Sequence, residues 1–216
     1  MAEFAVLRER MVREQISRRG IATPVILDAF RAVPREAFVS DQFRQHAYDD
    51  GPLPIEAGQT ISQPYIVALM IEAAAIGPDD RVLEVGAGSG YAAAVISRIA
   101  GKVVAIERQP ELARIARERL GRLGFENVEI VEGDGTCGVP EQAPFDAILA
   151  AASGSHVPKA LIEQLAPGGR LVMPIGAVRG SQTLIRVTKD ADGRLSHTDL
   201  GGVRFVPLIG AEGWSG

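Results

Sequence analysis

A glycine-rich turn that joins a predicted strand to a predicted helix is the strongest chemical signal in the sequence. Residues 82–91 read VLEVGAGSGY, so an apolar run leads directly into Gly86, Gly88 and Gly90. Glycines allow a tight turn and let a ligand touch main-chain atoms, and ligands of open α/β sheets bind at the carboxyl ends of strands. A tight turn without a ligand is the alternative interpretation of this motif taken alone.

The spacing of these glycines separates two classes of ligand. A dinucleotide fingerprint has a small residue at its sixth position, where this sequence has Tyr91. The pattern is therefore G-x-G-x-G, which argues against a nicotinamide-dependent oxidoreductase. The sequence also contains no G-x-x-x-x-G-K-[ST] motif, which excludes a P-loop.

Two carboxylates follow the next two predicted strands. Glu107 ends the strand 103–106, where a carboxylate can accept hydrogen bonds from both hydroxyls of a ribose. Asp134, flanked by glycines, follows the strand 128–131, where it could accept from an adenine amino group. Each has a structural alternative, since Glu107 could be an acid at a helix N-terminus and Asp134 a turn residue. Together with the glycine turn they predict a site for a ribose–adenine ligand.

The elements that must position these residues follow from the hydrophobic pattern. The predicted strands are 81–85, 103–106, 128–131, 145–150, 170–173, 184–188 and 203–206. The predicted helices between them are 89–100, 110–123 and 158–165. Alternating strands and helices predict an α/β fold with a doubly wound, mostly parallel sheet. A polar turn, without a helix, joins the last two strands, which predicts an antiparallel edge.

The first third of the chain is predicted to be a helical N-terminal extension followed by a loop. Gly20 ends the first helix, Thr23 caps a second that begins with Pro24, and Pro34 starts a short third one. We therefore predict one domain over 1–216, comprising the extension and an active-site loop at 1–63 and a cofactor-binding α/β core at 64–216.

Residues 49–64 form that loop, because they contain three prolines and two glycines. Long ordered loops in compact domains tend to be functional. Pro64 then begins a helix, with Ser62 or Gln63 as its cap, that is expected to end near Gly77.

Composition excludes several classes of function. The chain has 216 residues and a net charge of −4, which argues against neutralising nucleic-acid phosphates as its main task. A single cysteine rules out an intrachain disulfide and a cysteine-based metal site, and the three histidines lie far apart, so no metal is predicted. No signal peptide and no apolar stretch long enough to span a bilayer is apparent. We expect a cytoplasmic monomer with no nucleic-acid or membrane partner.

Several segments outside the glycine turn carry a family resemblance. They are AYDDGPLPI at 47–55, GQTISQPY at 58–65, GDGT at 133–136, FDAI at 145–148, LAPGGRLV at 165–172 and RFVPL at 204–208. In these segments the sequence resembles the class I S-adenosylmethionine-dependent methyltransferases and, more specifically, the protein-L-isoaspartate O-methyltransferases. The resemblance covers residues from about 8 to 210. The segment 59–64 is far more specific to it than the glycine turn.

The resemblance implies a seven-stranded Rossmann-like methyltransferase fold and a protein-repair reaction. A methyl group would move from S-adenosylmethionine, leaving S-adenosylhomocysteine, to the free α-carboxyl of L-isoaspartyl residues in proteins and peptides. That carboxylate is ionised at pH 7 and needs no general base. Ser62 would be the catalytic residue, orienting the carboxylate by a hydrogen bond; the alternative is that Ser62 only caps the following helix.

The resemblance also implies which residues bind the two reactants. Those placed against the cofactor are Gln59, Thr60, Ile61, Ser62 and Tyr65 in and after the loop, Glu84, Gly86, Ala87, Gly88 and Ser89 around the turn, and Glu107, Arg108, Asp134 and Gly135 at strand ends. Those placed against the substrate are Ile61, Ser62, Val203, Phe205, Val206 and Leu208, with the last four supplying main-chain contacts to an extended peptide.

One segment departs from the family, and two rival functions remain open besides the oxidoreductase. Residues 149–158 read LAAASGSHVP, where the family tends to have a threonine and a P-x-x-P sequence, so specificity could differ. A methyltransferase of the same fold that acts on a small molecule would keep the turn, Glu107 and Asp134. A catalytically silent binding module would be expected to have lost the turn, Glu107 or Ser62, and all are present.

Overall fold

The N-terminal extension is helical, as predicted. The computed structural model describes residues 2–178 and 180–215. Helix α1 (Ala2–Met11) continues through a π-helical turn and a 3-10 turn to Gly20, whose φ of 101° ends it. Helix α2 (Pro24–Ala32) begins with its proline in the first turn. Thr23 takes the N-cap position, but its hydroxyl donates to the Glu72 carboxylate at 2.8 Å instead of capping the helix.

The predicted loop contains a small hairpin. Strands β1 (Leu53–Pro54) and β2 (Thr60–Ile61) pair antiparallel around a 3-10 turn. Helix α3 (Pro64–Ala74) follows, with Gln63 at its N-cap position, and ends at Ala75, whose φ is 48°. The end predicted near Gly77 is therefore slightly too late.

The α/β core holds the remaining elements. In chain order they are β3 (Arg81–Val85), α4 (Tyr91–Ile96), β4 (Lys102–Glu107), α5 (Pro110–Arg122), β5 (Val128–Glu132), β6 (Phe145–Ala150), α6 (Lys159–Glu163), β7 (Leu165–Gly176), β8 (Gln182–Lys189) and β9 (Leu195–Val203). The sheet order is β5-β4-β3-β6-β7-β8-β9. The first five of these strands are parallel, and β8 and β9 are antiparallel to their neighbours.

The predicted fold class is confirmed, since the sheet has seven strands and an antiparallel edge. The predicted strand 203–206 is wrong. The last strand is Leu195–Val203, an edge strand whose side chains are mostly exposed and polar, so its sequence gives no apolar signal. The apolar residues that follow it line a cavity instead of forming a strand. Helices α4 and α6 are also shorter than predicted.

Apolar side chains cover both faces of the sheet. Successive residues of β3 point to opposite faces, so Val82 belongs to one buried cluster and Leu83 and Val85 to the other. The first cluster also contains Met11 and Phe30, so the N-terminal extension packs directly on the core. Within the described ranges, no helix has the length and apolar character needed to cross a bilayer.

Candidate active site

A cavity of about 1030 Å³ lies at the carboxyl ends of the central strands. The chain leaves β3 towards β4 on one side and later reaches β6 on the other, so the strand order reverses here. A crevice forms at such a reversal because the two crossover connections run to opposite sides of the sheet. The sheet topology therefore creates the space, and the loops around it determine its chemistry.

The glycine-rich turn forms the floor of this cavity. Its predicted site residues Glu84, Gly86, Ala87, Gly88 and Ser89 all line the cavity. Gly86 and Gly88 have φ values of 90° and 53°, which residues with a side chain rarely adopt. The N–H groups of Gly86 and Ala87 both donate to the Ile106 carbonyl, at 2.9 and 3.2 Å. These bonds hold the turn against β4 and leave its open side facing the cavity.

Glu107 ties the glycine turn to the start of the next helix. Its carboxylate accepts one hydrogen bond from the Gly88 N–H and one, on the other oxygen, from the Gln109 N–H, both at 2.9 Å. A carboxylate offers about four acceptor positions, so two positions stay available to hydroxyls of a ligand. Arg108 and Gly135 line the same side of the cavity.

Glu84 is a second carboxylate in the cavity wall, and it is almost completely buried, with 2% of its surface exposed. Its Oε2 has no hydrogen-bond partner in the described part of the chain. Burial, with the nearby negative charge of Glu107 as a further cause, raises the pKa of Glu84 well above its usual range. A buried carboxyl group that lines a cavity and has one unpartnered oxygen suits a ligand bearing a cationic group.

The loop before α3 also lines the cavity. Its predicted site residues Gln59, Thr60, Ile61 and Ser62 are all part of the lining. Ser62 is half-buried and lies one residue before Gln63, which occupies the N-cap position of α3. The Gln63 side chain donates to the Asp50 carboxylate at 2.7 Å and does not cap the helix.

An ion pair joins this loop to helix α5 of the core. The guanidinium of Arg119 on α5 donates to both oxygens of Glu56, at 2.6 and 3.2 Å. Both side chains are largely buried, so the pair is screened less than a surface salt bridge.

The segment after β9 forms a third, mainly apolar wall. Val203, Phe205, Val206 and Leu208 line the cavity. The buried amide of Gln182 accepts from the Phe205 N–H at 2.7 Å and donates to the Phe205 carbonyl at 3.1 Å. The Leu208 N–H donates to the Ser153 carbonyl at 2.8 Å. The N–H groups of Phe205 and Leu208 therefore already donate within the chain. Fewer main-chain donors than predicted are left in this segment to bind a peptide.

Two residues predicted to bind the cofactor lie outside the cavity lining. The ring of Tyr65 stacks against the Arg19 guanidinium, whose Cζ lies 3.8 Å from the ring centroid. This placement disagrees with the expectation that Tyr65 faces the cofactor. Neighbouring residues of a helix point about 100° apart, and it is Ile66, the next residue along α3, that lines the cavity.

The Asp134 carboxylate is engaged by the C-terminal segment and by its own turn. It accepts from the Thr136 N–H and hydroxyl on one oxygen and from the Ala211 N–H on the other. Burial alone would raise the pKa of Asp134, but the bonds from Ala211 and Thr136 outweigh it and lower the pKa. One acceptor position remains on the second oxygen, so the role of Asp134 towards an adenine stays a prediction.

Sequence reasoning missed other residues of the site. Met70 on α3, Tyr91 at the start of α4, Gln182 on β8 and Arg204 all line the cavity. Met70 and Tyr91 have the sequence pattern of ordinary core residues, and an isolated glutamine or arginine carries no periodic signal. Across residues 2–178 and 180–215 there is no cluster of His, Cys, Asp or Glu side chains that could hold a metal ion.

Comparison with known proteins agrees with this geometry. Residues 7–213 match the family model described as protein-L-isoaspartate (D-aspartate) O-methyltransferase. A relative from Pelobacter propionicus, named protein-L-isoaspartate O-methyltransferase 2, is 58% identical over 207 residues, covering 96% of this chain and 92% of the relative.

Solved structures show the same similarity. A structure named protein-L-isoaspartate O-methyltransferase superposes with a TM-score of 0.86 at 33% identity, over 95% of this chain and 66% of that longer chain. A Plasmodium falciparum structure, described as a beta-aspartate methyltransferase in complex with S-adenosyl-L-homocysteine, gives a TM-score of 0.81 at 27% identity, over 94% of this chain and 98% of that chain. The chain belongs to the protein-L-isoaspartate (D-aspartate) O-methyltransferase family.

Proposed function

We propose that this chain transfers a methyl group from S-adenosylmethionine to the free α-carboxyl of L-isoaspartyl residues in damaged proteins and peptides. The observation that carries the proposal is one continuous cavity, which joins the family-specific segment around Ser62 to the glycine turn. Family membership over residues 7–213 supports the same reaction. The product of the cofactor is S-adenosylhomocysteine, the compound bound in the Plasmodium falciparum structure.

The residues on the cofactor side fit S-adenosylmethionine. The two open acceptor positions of the Glu107 carboxylate suit a ribose diol. The unpartnered Oε2 of Glu84 suits an ammonium group, whose charge would offset the cost of ionising that buried carboxyl. Gly86 and Gly88 bring main-chain atoms to the cavity surface. Bound S-adenosylmethionine supplies a methyl group activated by a sulfonium centre.

On the substrate side, Ser62 holds the methyl acceptor. A carboxylate is ionised at pH 7, so it attacks without a general base. The chain must therefore align an oxygen of that carboxylate with the methyl group, at a near-attack distance of about 3–3.5 Å. Ser62 lines the cavity, and in the proposed complex its hydroxyl donates a hydrogen bond to the second carboxylate oxygen. Ser62 thus contributes orientation and not proton transfer.

The apolar wall formed by Val203, Phe205, Val206 and Leu208 receives the peptide around the isoaspartyl residue. These side chains exclude water from the reacting carboxylate, which strengthens the hydrogen bond from Ser62. The methyl ester leaves the site, and in solution a main-chain amide nitrogen attacks the ester carbonyl, which closes a succinimide and releases methanol. Hydrolysis of that succinimide returns part of the peptide to a normal aspartyl linkage.

The experiment that tests this function uses methyl-labelled S-adenosylmethionine and two peptides that differ only in an isoaspartyl or aspartyl linkage. We expect label in the isoaspartyl peptide alone, and we expect base to release it as methanol. Ser62→Ala should lower the rate of transfer while S-adenosylhomocysteine binding is retained. Equal labelling of both peptides would contradict specificity for the isoaspartyl linkage. No labelling of either by a chain that binds S-adenosylhomocysteine would contradict the proposal and favour a small-molecule substrate.

A further inference from the structure

Arg35 is a fully buried arginine in the N-terminal extension that reaches the main chain of the active-site loop. It follows Pro34 in a short 3-10 turn, and none of its surface is exposed. Its Nε donates to the Ala47 carbonyl and its Nη2 donates to the Ser62 carbonyl, both at 2.8 Å. The planar guanidinium of Arg35 therefore links Ala47 to Ser62, the residue proposed to orient the methyl acceptor.

The charge of Arg35 is costly where it lies. No carboxylate of the described chain lies within 4.0 Å of its guanidinium nitrogens, and Nη1 makes no hydrogen bond to the described residues. Burial lowers the pKa of Arg35, with Tyr91 acting in the opposite direction. An unpaired buried charge destabilises a fold, and an apolar residue of similar size often serves packing at least as well. Packing alone therefore gives a poor account of an arginine at this position.

Arg35 also contacts Tyr91, a residue that lines the cavity. Its Cζ lies 4.7 Å from the centroid of the Tyr91 ring, and Tyr91 follows the glycine turn and lines the cavity. Phe30 and Phe38 pack edge-on against the same ring. Burial is the main cause that raises the pKa of Tyr91, to about 12, so its hydroxyl is neutral at physiological pH. Arg35 thus contacts the substrate loop and the cofactor turn at once.

We propose that Arg35 is a positioning residue for methyl transfer: its forked hydrogen bonds to the Ala47 and Ser62 carbonyls fix the Ser62 main chain relative to the glycine turn through Tyr91. Fixing that carbonyl restricts the backbone dihedrals of Ser62 and therefore the direction of its Cα–Cβ bond, which carries the hydroxyl. A lysine is a point charge with no planar fork and cannot reproduce this arrangement. The role of Arg35 in catalysis rests on the proposed function, whereas its hydrogen bond to the Ser62 carbonyl does not.

The test compares Arg35→Met and Arg35→Lys with matched changes at Arg8. Arg8 belongs to the same extension and is also largely buried, and it donates to the Tyr48 hydroxyl at 2.8 Å and to Glu36 at 3.2 Å. It does not line the cavity. Three experiments are done on each variant. They measure amide hydrogen exchange of residues 59–63 by mass spectrometry, the dissociation constant of S-adenosylhomocysteine, and the steady-state kcat and KM for an isoaspartyl peptide.

We expect Arg35→Met to speed exchange of residues 59–63 and to lower kcat about tenfold or more, because small misplacements of reacting groups cost large factors in rate. The dissociation constant of S-adenosylhomocysteine should change less than about threefold, which is below 1 kcal/mol. Arg35→Lys should show the same pattern to a smaller extent. The Arg8 variants should lower the free energy of unfolding while exchange of 59–63 and kcat stay close to those of the unaltered chain.

Equal exchange of residues 59–63 and equal kcat in the Arg35 and Arg8 variants would overturn the proposal. If Arg35→Met does not fold, Arg35→Lys, which keeps the buried charge, decides by the same two readouts. Should the unaltered chain methylate no isoaspartyl peptide, the proposed function fails, and the exchange comparison still decides whether Arg35 fixes the Ser62 main chain.

Discussion

Replacing Glu107 by glutamine removes one of two carboxylate oxygens, on which two acceptor positions bind main-chain N–H groups and two are assigned to the ribose. The two oxygens of the carboxylate each accept one main-chain N–H, from Gly88 and from Gln109, at 2.9 Å. An amide has a single oxygen. In Glu107→Gln one of the two N–H groups therefore faces an NH₂ group, and a ribose diol finds one open acceptor position in place of two.

The size of the effect follows from that count. A hydrogen bond to a charged group contributes about 1.5–3 kcal/mol, and about 1.4 kcal/mol corresponds to tenfold in affinity. Loss of one such bond to the ribose predicts a dissociation constant for S-adenosylhomocysteine that is raised about 10- to 100-fold. The substitution also weakens the tie between the turn and β4, so the free energy of unfolding should fall modestly.

Isothermal titration with S-adenosylhomocysteine measures this affinity, and Glu132→Gln is the matched control. Glu132 is the register partner of Glu107 on β5, and its side chain is exposed and outside the cavity lining. Both variants replace a glutamate at the end of a strand by glutamine, so they make the same chemical change. Binding by a folded Glu107→Gln variant within twofold of that by Glu132→Gln would refute the assignment of Glu107 to the ribose.

Three other expectations follow from the site. The pKa of Glu84 is raised in the folded chain, so the unfolded chain loses this proton at a lower pH than the folded chain does. The free energy of unfolding of the unaltered chain should therefore fall relative to that of Glu84→Gln as the pH rises above 4.5, the ordinary pKa of this group. Urea titrations from pH 4.5 to 8 measure the difference between the two chains, and a difference that stays constant would contradict the prediction. Gln182→Leu should raise KM for an isoaspartyl peptide with little change in S-adenosylhomocysteine affinity, because the Gln182 amide makes two hydrogen bonds to the Phe205 main chain. An unchanged KM in steady-state kinetics would show that Gln182 does not support peptide binding. Gly90→Ala should lower the free energy of unfolding by about 1–3 kcal/mol, since its Cβ would lie 3.2 Å from Leu120 at a φ of 87°; an unchanged urea midpoint would show that the turn relaxes.

The fold could be predicted from sequence because most of its strands are buried on both faces. Strands such as Arg81–Val85 and Phe145–Ala150 are mostly apolar and buried, and the helix α5 between them begins at Pro110. The edge strand Leu195–Val203 was missed because nothing covers most of its side chains, so selection for apolar residues is weak there. The hairpin inside the loop was missed because each of its strands has only two residues, and β1 contains a proline.

The candidate site could be predicted where a local motif specifies it. The glycine turn and Glu107 are signalled by their position at strand ends, and the segment 59–62 by its family-specific sequence. Arg35 and Gln182 could not be predicted because their contacts depend on tertiary structure: Arg35 meets a carbonyl 27 residues further along the chain, and Gln182 meets a main chain 23 residues away. An isolated polar residue belongs to no repeating sequence pattern, so the sequence does not indicate its partner.

Competition between two linkages in one tube tests the central claim most directly. An equimolar mixture of an isoaspartyl peptide and its aspartyl isomer, separable by chromatography, is incubated with the chain and S-adenosylmethionine and followed by mass spectrometry. We predict that only the isoaspartyl peptide gains a methyl group, and that succinimide and then aspartyl peptide accumulate as the isoaspartyl peptide disappears. Methylation of both isomers at similar rates, or of neither while S-adenosylhomocysteine binds, would contradict this prediction.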